Sequence, residues 1–449
     1  MTSQRLNDVV SRAFSRRTVL GAAGAGLLAS KGFGGVANAY AQATPVSAIP
    51  MSGEEVPELA AFDAAMLGLV SKWGLQGAQL SVGYEGRLVL SRGYGYADTE
   101  AEVTVQRDSR FRIASVSKTI TTVGILRLLD AQKLALTDKV FPMLNLEPPA
   151  NAPTDPRLAE ITVEELLVHS GGWDLPQSGD PQSPPLFEVI SNTFALTAPP
   201  KPEDVIRFML GNYLDFDPGT QSIYSNFGFN VLGRVIEHLS GQTYEAFSQE
   251  QVLAPAGAMA MQLGKTKLED RAEKEVTYYQ PSEFPATVPS VFPGEPFAPL
   301  AYGGFFLETM DAHGGWISDT DDLIRFVTAI DGQRGTALLQ PATVEQMLTA
   351  PRPKNGWYNG MANTKEANGL GWVVQPGPTG VTQWGHTGSL GGSNSAFVLR
   401  SDNGMSIAFA TNTLPFDFIG YFAALIGNLT DIGYAITSWP THDLFEDAS

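Results

Sequence analysis

Apolar positions follow two different periods along the chain. From Leu59 to Trp73 they recur every three or four residues, which predicts an amphipathic helix with one buried face. The stretches 78–84 and 87–93 are short, apolar and separated by Glu85-Gly86, which predicts a hairpin of two strands. The chain therefore begins its folded part with a helix followed by a hairpin.

Helical periods dominate the middle of the chain, and strand-like segments dominate its last quarter. Helices are predicted at 119–134, 163–169, 229–239, 321–330 and 341–348, with a last one at 418–437; strands are predicted at 371–374, 381–385, 395–399 and 405–411. Residues 265–310, rich in proline and aromatic side chains, are predicted to form loops. This order favours an α+β fold, in which helices flank an antiparallel sheet and a helical lobe is inserted beside it.

The first 43 residues have the pattern of an export signal. Arg16-Arg17 forms a twin-arginine pattern, the apolar run 21–30 follows, and two A-x-A sites end at Ala39 and Ala43. The apolar run is shorter than the ~20 residues that cross a bilayer. We therefore expect residues 1–43 to be cleaved, no stable membrane anchor, a periplasmic or secreted product, and one domain of two lobes over 44–449.

Composition excludes several classes of function. The formal charge is −18, and loss of the signal, which carries five basic residues and one acidic residue, makes it −22. Such an acidic surface argues against nucleic acid as a partner. The chain has no cysteine, which excludes disulfides and thiolate sites, and no H-E-x-x-H motif. We expect no metal and no organic cofactor.

The stretch Ser115-Val116-Ser117-Lys118 carries the first candidate chemistry. A serine hydroxyl needs a base to become a nucleophile, and on a helix Lys118 lies on the same face as Ser115. Apolar residues follow, so Ser115 is predicted at the start of a buried helix, where backbone N–H groups favour negative charge. Such an S-x-x-K motif occurs by chance in many chains and gains weight only from its surroundings.

Two later motifs supply further polar groups. Tyr224-Ser225-Asn226 follows a turn and offers a phenol for proton transfer and an amide for a substrate carbonyl. His386-Thr387-Gly388 is predicted between the strand 381–385 and the turn at Gly391-Gly392. The glycine permits close approach to the strand edge, where the N–H of Ser389 and that of Ser115 can form an oxyanion hole.

With these motifs in this order, the chain resembles the serine β-lactamase and DD-peptidase superfamily, in its AmpC, DD-carboxypeptidase and family VIII esterase branch. The resemblance covers about residues 63–412. It includes R-G-Y-G-Y-A-D at 92–98, F-R-I-A-S at 111–115, I-T-V-E-E-L-L-V-H-S-G-G at 161–172 and G-G-W-I-S at 314–318. It implies the β-lactamase/transpeptidase-like fold, with an antiparallel sheet and an inserted helical lobe.

The resemblance also implies a role for each motif residue. Ser115 is the acylated nucleophile, Lys118 its base partner and Tyr224 the proton relay to the leaving group. The substrate-binding residues are Asn226, which holds the acyl side chain, and His386, Thr387, Gly388 and Ser389 at the strand edge. The β-lactamases of this branch usually carry lysine where this chain has His386. Some DD-carboxypeptidases, peptidases and esterases of the branch carry histidine there.

We thus expect an exported serine hydrolase that acts through an acyl-enzyme. Its expected substrate is a small-molecule or peptide ester or amide. A carboxylesterase is the alternative within enzymes, and a non-catalytic penicillin-recognising or cell-wall-binding protein is the alternative from another class. A Ser-His-Asp hydrolase of the G-x-S-x-G type is not supported, because the pentapeptide is absent. If His386 binds a substrate carboxylate, an ordinary histidine would lose that binding between about pH 5.5 and 8.

Four other histidines and the tryptophans have structural interpretations. His169 is predicted to end a helix, with bracing of the site as the second possibility. His238, His313 and His442 show no ligand spacing. Trp173, Trp316, Trp357 and Trp384 are predicted to lie in the core rather than in a substrate pocket.

Overall fold

An antiparallel sheet of nine strands runs through the part of the chain that is described. The computed structural model describes residues 49–349, 367–377, 382–391 and 393–446. The predicted signal 1–43 and Trp357 lie outside these residues. Eight strands follow one another across this sheet, and the ninth pairs with one of them.

The strands are β1 Met51–Ser52, β2 Gly77–Tyr84, β3 Arg87–Asp98, β4 Val103–Thr104, β5 Phe111–Arg112, β6 Gln262–Leu263, β7 Val288–Pro289, β8 Phe297–Ala298, β9 Trp316–Ser318, β10 Ala367–Asn368, β11 Val373–Pro376, β12 Thr382–Leu390, β13 Asn394–Ser401 and β14 Met405–Thr411. The α-helices are α1 Ala60–Trp73, α2 Ser117–Asp130, α3 Val140–Leu144, α4 Val163–Leu167, α5 Leu175–Ser178, α6 Pro184–Phe194, α7 Pro202–Leu210, α8 Asn226–Ser240, α9 Tyr244–Ser248, α10 Ala254–Ala256, α11 Thr320–Ala329, α12 Pro341–Leu348 and α13 Phe418–Ala435. The strand order in the main sheet is β1-β3-β2-β14-β13-β12-β11-β10, with β4 beside β3. Apart from this sheet, β5, β9 and β6 form a small three-stranded sheet, and β7 pairs with β8.

Local sequence explains where several helices begin and end. Thr162 caps α4 through a capping box with Glu165, Asp319 caps α11, and Gly241 ends α8 in a left-handed conformation. The predicted helices and the hairpin of β2 and β3 are confirmed, with shifts of a few residues at their ends. Residues 265–310 are mainly loop, as predicted, with short 3-10 turns and the two-residue strands β7 and β8.

Two apolar clusters lie on the two faces of the sheet. Helices α1 and α13 cover one face, where Phe62, Leu80 and Leu425 are fully buried. The other face is continuous with the helical lobe around α2 and α8. Because both faces are covered, strands β2, β13 and β14 are buried along nearly their whole length. The α+β expectation is therefore confirmed.

The long loop before β9 is attached to the strand that leads to Ser115. Arg112 in β5 is completely buried, lies 3.5 Å from Glu275 and donates to the carbonyl oxygens of Ala301 (2.6 Å) and Lys265 (2.9 Å). Its guanidinium also lies 4.4 Å from the centre of the Tyr278 ring. This buried charge thus holds the loop 265–310 next to the F-R-I-A-S segment.

Candidate active site

Ser115 lies in a tight turn at the junction of the sheet and the helical lobe. Residues Ala114–Val116 form a 3-10 turn that leads directly into α2, so the predicted position at the head of a buried helix is confirmed. Ala114 has φ of +47°, a left-handed conformation that is costly for a residue with a Cβ. Such strained residues are concentrated at functional sites, where the surrounding structure holds them in place.

Lys118 is fully buried beside this serine. Its Nζ lies 3.1 Å from Ser115 Oγ, 2.8 Å from Asn226 Oδ1 and 3.0 Å from the carbonyl oxygen of His313. Burial lowers the pKa of Lys118 well below its usual value, and the charge of Asp180 opposes this in part. The environment therefore favours the neutral amine.

The three contacts of Lys118 define how a neutral amine is oriented. A neutral amine has two N–H donors and one lone pair, whereas the oxygens of Asn226 and His313 can only accept. Those two oxygens use both donors, so the lone pair faces Ser115 Oγ. This is the arrangement required for a base that removes the serine proton.

Tyr224 contacts the same serine oxygen. Its hydroxyl donates to Ser115 Oγ over 2.8 Å, and burial raises the pKa of Tyr224, which keeps the phenol protonated. The ring of His169 packs against the Tyr224 ring with centroids 4.6 Å apart, and the N–H of Ser225 donates to His169 Nδ1 over 3.2 Å. His169 thus braces the tyrosine in addition to following α4.

Asn226 is the first residue of α8 and links Lys118 to a carboxylate. Its Nδ2 donates to Asp180 Oδ2 over 2.7 Å while its Oδ1 accepts from Lys118. The carboxylate therefore determines which way the amide of Asn226 points. Asp180 was not predicted as a site residue, because it lies in an irregular loop between α5 and α6 with no motif around it.

His386 lies inside strand β12, which continues to Leu390, and not in a connection after a strand as predicted. It is buried, and its Nδ1 lies 2.6 Å from the carbonyl oxygen of Thr387. A carbonyl only accepts, so Nδ1 carries the hydrogen and Nε2 is left as an acceptor. Burial lowers the pKa of His386 to about 3. This environment favours a neutral His386 between pH 5.5 and 8, the alternative to its titration in that range.

The remaining residues of the motif lie where β12 passes the nucleophile turn. A Cβ on Gly388 would lie 2.9 Å from the backbone nitrogen of Ser115 and closer still to the carbonyl of Ile113. Side chains alternate along a strand, so His386 and Gly388 face Ser115, whereas Thr387 and Ser389 direct their side chains to the opposite face. A residue with a Cβ would not fit at 388 without a shift of the backbone, because the turn of Ser115 passes so close to the strand.

His313 is a second residue that sequence reasoning left without a function. Its carbonyl orients Lys118, and neither nitrogen of its buried imidazole has a hydrogen-bond partner among the described residues. Burial lowers the pKa of His313 well below its usual value. Its position directly before the Gly314-Gly315 signature was the available signal.

Three of the four predicted core tryptophans lie in the described part of the chain. Trp173, Trp316 and Trp384 are buried, as predicted. Over the described ranges, no group of three or more histidine, aspartate or glutamate side chains could hold a metal ion. Within the same part of the chain, no helix is long and apolar enough to cross a membrane.

The chain belongs to the Beta-lactamase family, whose model matches residues 62–425. It is 27% identical to the "Probable fimbrial assembly protein FimD, serogroup H1" of Dichelobacter nodosus, a match that covers 69% of this chain and 68% of that protein. It spans about a third of the length of several other curated relatives.

Solved structures share the fold at lower identity. The octameric penicillin-binding protein homologue from Pyrococcus abyssi is 21% identical, with a TM-score of 0.63 over 83% of this chain and 77% of that one. The D-amino acid amidase from Ochrobactrum anthropi SV3 is 19% identical, with a TM-score of 0.63 over 85% and 99% of the two chains. The family and the β-lactamase/transpeptidase-like fold agree with the resemblance found in the sequence.

Proposed function

We propose that this chain is a serine hydrolase that cleaves an ester or an amide through an acyl-enzyme. The observation that carries the proposal is the convergence of two proton carriers on one hydroxyl: Lys118 Nζ at 3.1 Å and Tyr224 OH at 2.8 Å from Ser115 Oγ. A binding protein has no need of a nucleophile activated in this way, which argues against the non-catalytic alternative.

In the proposed reaction, Lys118 accepts the proton of Ser115 as Oγ bonds to the acyl carbon. The N–H groups of Ser115 and Ser389 stabilise the oxyanion. Tyr224 then donates its proton to the leaving nitrogen or oxygen as that bond breaks, and the Lys118 ammonium restores the phenol. Water next attacks the acyl carbon while Lys118 takes up one of the water protons. As the bond between the acyl carbon and Oγ breaks, that proton passes to Oγ and restores the Ser115 hydroxyl.

A carboxylesterase or amidase acting on substrates without a free carboxylate is favoured over a carboxypeptidase. The reason is His386, whose pKa of about 3 leaves a neutral acceptor where a fixed positive charge would bind a carboxylate. The D-amino acid amidase among the structural neighbours fits this choice.

The test is covalent labelling with a fluorophosphonate followed by intact-mass and peptide analysis. One adduct on Ser115 is expected; Ser115→Ala should abolish it, and the exposed Ser282→Ala should not change it. Labelling of another serine, or activity retained in Ser115→Ala, would refute the proposal.

We also propose that the twin-arginine signal exports the protein. Replacing Arg16 and Arg17 together by lysine should leave the precursor inside a bacterial host, whereas the lysine substitution of Arg12 should leave export unchanged. Fractionation and immunoblotting decide between the outcomes, and export of the double variant would contradict the proposal.

A further inference from the structure

Asp180 is a buried carboxylate in the candidate active site with no cation beside it. It is 8% exposed, and it accepts from Gln182 N–H over 2.9 Å and from Asn226 Nδ2 over 2.7 Å. In the described part of the chain, no lysine, arginine or histidine nitrogen lies within 4.0 Å of its oxygens. Buried charges in proteins are ordinarily paired.

Lys118 does not serve as the cation that pairs with Asp180 before acylation. Asn226 lies between the two groups, with its Oδ1 2.8 Å from Lys118 Nζ and its Nδ2 2.7 Å from Asp180. Moreover, the proposed mechanism needs Lys118 as a neutral amine before acylation. When Lys118 is neutral, Asp180 is an uncompensated negative charge at the acyl side of the site.

The loop around Asp180 offers a further acceptor without a donor. Gln182 is 6% exposed; its Nε2 donates to the carbonyl of Thr309 over 3.0 Å, but its buried Oε1 has no partner. An ionised carboxylate can only accept hydrogen bonds, so a ligand that pairs with Asp180 must carry N–H or O–H donors. A primary ammonium carries three such donors and a positive charge.

We propose that Asp180 recognises a protonated amine in the acyl part of the substrate. This inference rests on the proposed function, since Asn226 is the residue assigned to the acyl group. The substrate class is then the amides and esters of amino acids, and peptides with a free amino terminus. N-acylated and neutral analogues are poorer substrates because they leave the Asp180 charge unpaired.

The experiment compares acyl groups that share one leaving group. Alanyl, lactoyl and N-acetylalanyl p-nitroanilides are assayed in both enantiomers with the full chain, its Asp180→Asn variant and, as control, Asp215→Asn. Asp215 is a half-buried carboxylate nearby that accepts from Ser178 and the N–H of Asp174, away from Ser115. The lactoyl compound replaces the ammonium by a hydroxyl of similar size.

For wild type and Asp215→Asn we expect kcat/KM at pH 7 to be at least tenfold higher for the alanyl than for the lactoyl substrate. In Asp180→Asn this ratio should fall at least tenfold. Effects of the variant on Lys118 or Asn226 act on both substrates and cancel in the ratio. Equal use of both substrates by the wild type, or the same ratio in Asp180→Asn, overturns the inference.

Fluorophosphonate labelling separates this failure from failure of the proposed function. If Ser115 is labelled but no anilide is cleaved, alaninamide and lactamide are compared as protectants. Stronger protection by alaninamide, lost in Asp180→Asn, supports the inference, and equal protection refutes it while the nucleophile assignment stands. If Ser115 is not labelled, the proposed function fails and the inference falls with it.

Discussion

At the scale of single residues, burial determines the chemistry of the site. Lys118 and Tyr224 are ordinary side chains whose pKa values move in opposite directions for the same reason: water is excluded from both. Burial lowers the pKa of the Lys118 amine and raises the pKa of the Tyr224 phenol, so the neutral form of each group is stabilised. Together they provide one group that accepts a proton and one that donates it, both within hydrogen-bond distance of Ser115 Oγ.

Lys118 and Tyr224 should act as one unit. Lys118→Ala and Tyr224→Phe are each expected to lower kcat about 10³-fold or more, with the double variant little worse than the poorer single one, because groups that act together are strongly non-additive. In the wild type, kcat/KM should rise with pH through the pKa of Lys118, and this rise should be complete well below the usual lysine value of about 10.4. Steady-state kinetics over pH 5–10 measure both effects. If the two losses simply multiply, the residues act independently.

His386 should show no titration in the neutral range. We expect the ratio of kcat/KM for a carboxylate-bearing substrate to that for a neutral ester to stay flat between about pH 5.5 and 8, because the pKa of about 3 leaves His386 neutral throughout. His386→Lys should raise this ratio by about tenfold through a charge-assisted hydrogen bond. A ratio that falls with pH in the wild type would show that His386 is protonated when substrate binds.

At the scale of elements, the site depends on how closely β12 passes the turn of Ser115. The contact brings strand β12 to the turn before α2, although Gly388 and Ser115 are more than 260 residues apart in sequence. Gly388 permits this approach because it has no side chain, and both neighbouring atoms are backbone that cannot rotate away.

Gly388→Ala should therefore damage activity more than stability. The added Cβ would meet backbone atoms of Ile113 and Ser115, pushing β12 away and displacing the oxyanion-hole donor. Loss of one such donor costs about 10²–10³-fold in kcat, which sets the expected loss. Gly68→Ala in α1 is the control, since its Cβ meets open space. Near wild-type kcat in Gly388→Ala would show that the strand and the turn can separate without cost.

At the scale of the whole molecule, several buried groups link stability to pH. Burial lowers the pKa of His169, His313 and His386, so these side chains stay neutral in the folded protein. In the unfolded chain a histidine binds a proton below about pH 6.5. The unfolded state then carries more protons, and the free energy of unfolding decreases as pH falls below that value.

His313 offers the cleanest test of this linkage, because its two ring nitrogens have no partner in the part of the chain that the structure describes. His313→Leu removes the titrating ring but keeps the carbonyl that orients Lys118. The free energy of unfolding of the variant relative to wild type should increase by up to about 1.4 kcal/mol for each pH unit below about 6.5. Urea unfolding at pH 8, 6 and 5 measures it, with pH 8 giving the cost of the substitution alone. A difference that does not change with pH would mean that His313 is not held neutral.

Prediction from the sequence worked best where the signal was local. The periodicity of α1, the hairpin of β2 and β3 and the capping box at Thr162 were all readable within a dozen residues. The motif residues were found because S-x-x-K, Y-x-N and H-T-G are themselves short patterns. The predicted end of the strand at residue 385 was wrong because the nearby glycines suggested a break, whereas the pairing of β12 with β13 continues the strand to Leu390.

The sequence by itself determined the elements, the α+β class, the family resemblance and the identity of the groups around Ser115, since these depend on short-range order and residue type. Tertiary structure alone decided the state of those groups: a neutral Lys118, a neutral His386 with its hydrogen on Nδ1, and an Asp180 without a cation. The physical reason is that protonation depends on water exclusion, and that Asp180, Asn226 and Lys118 meet although they are 46 and 108 residues apart in sequence. No local pattern encodes these distances.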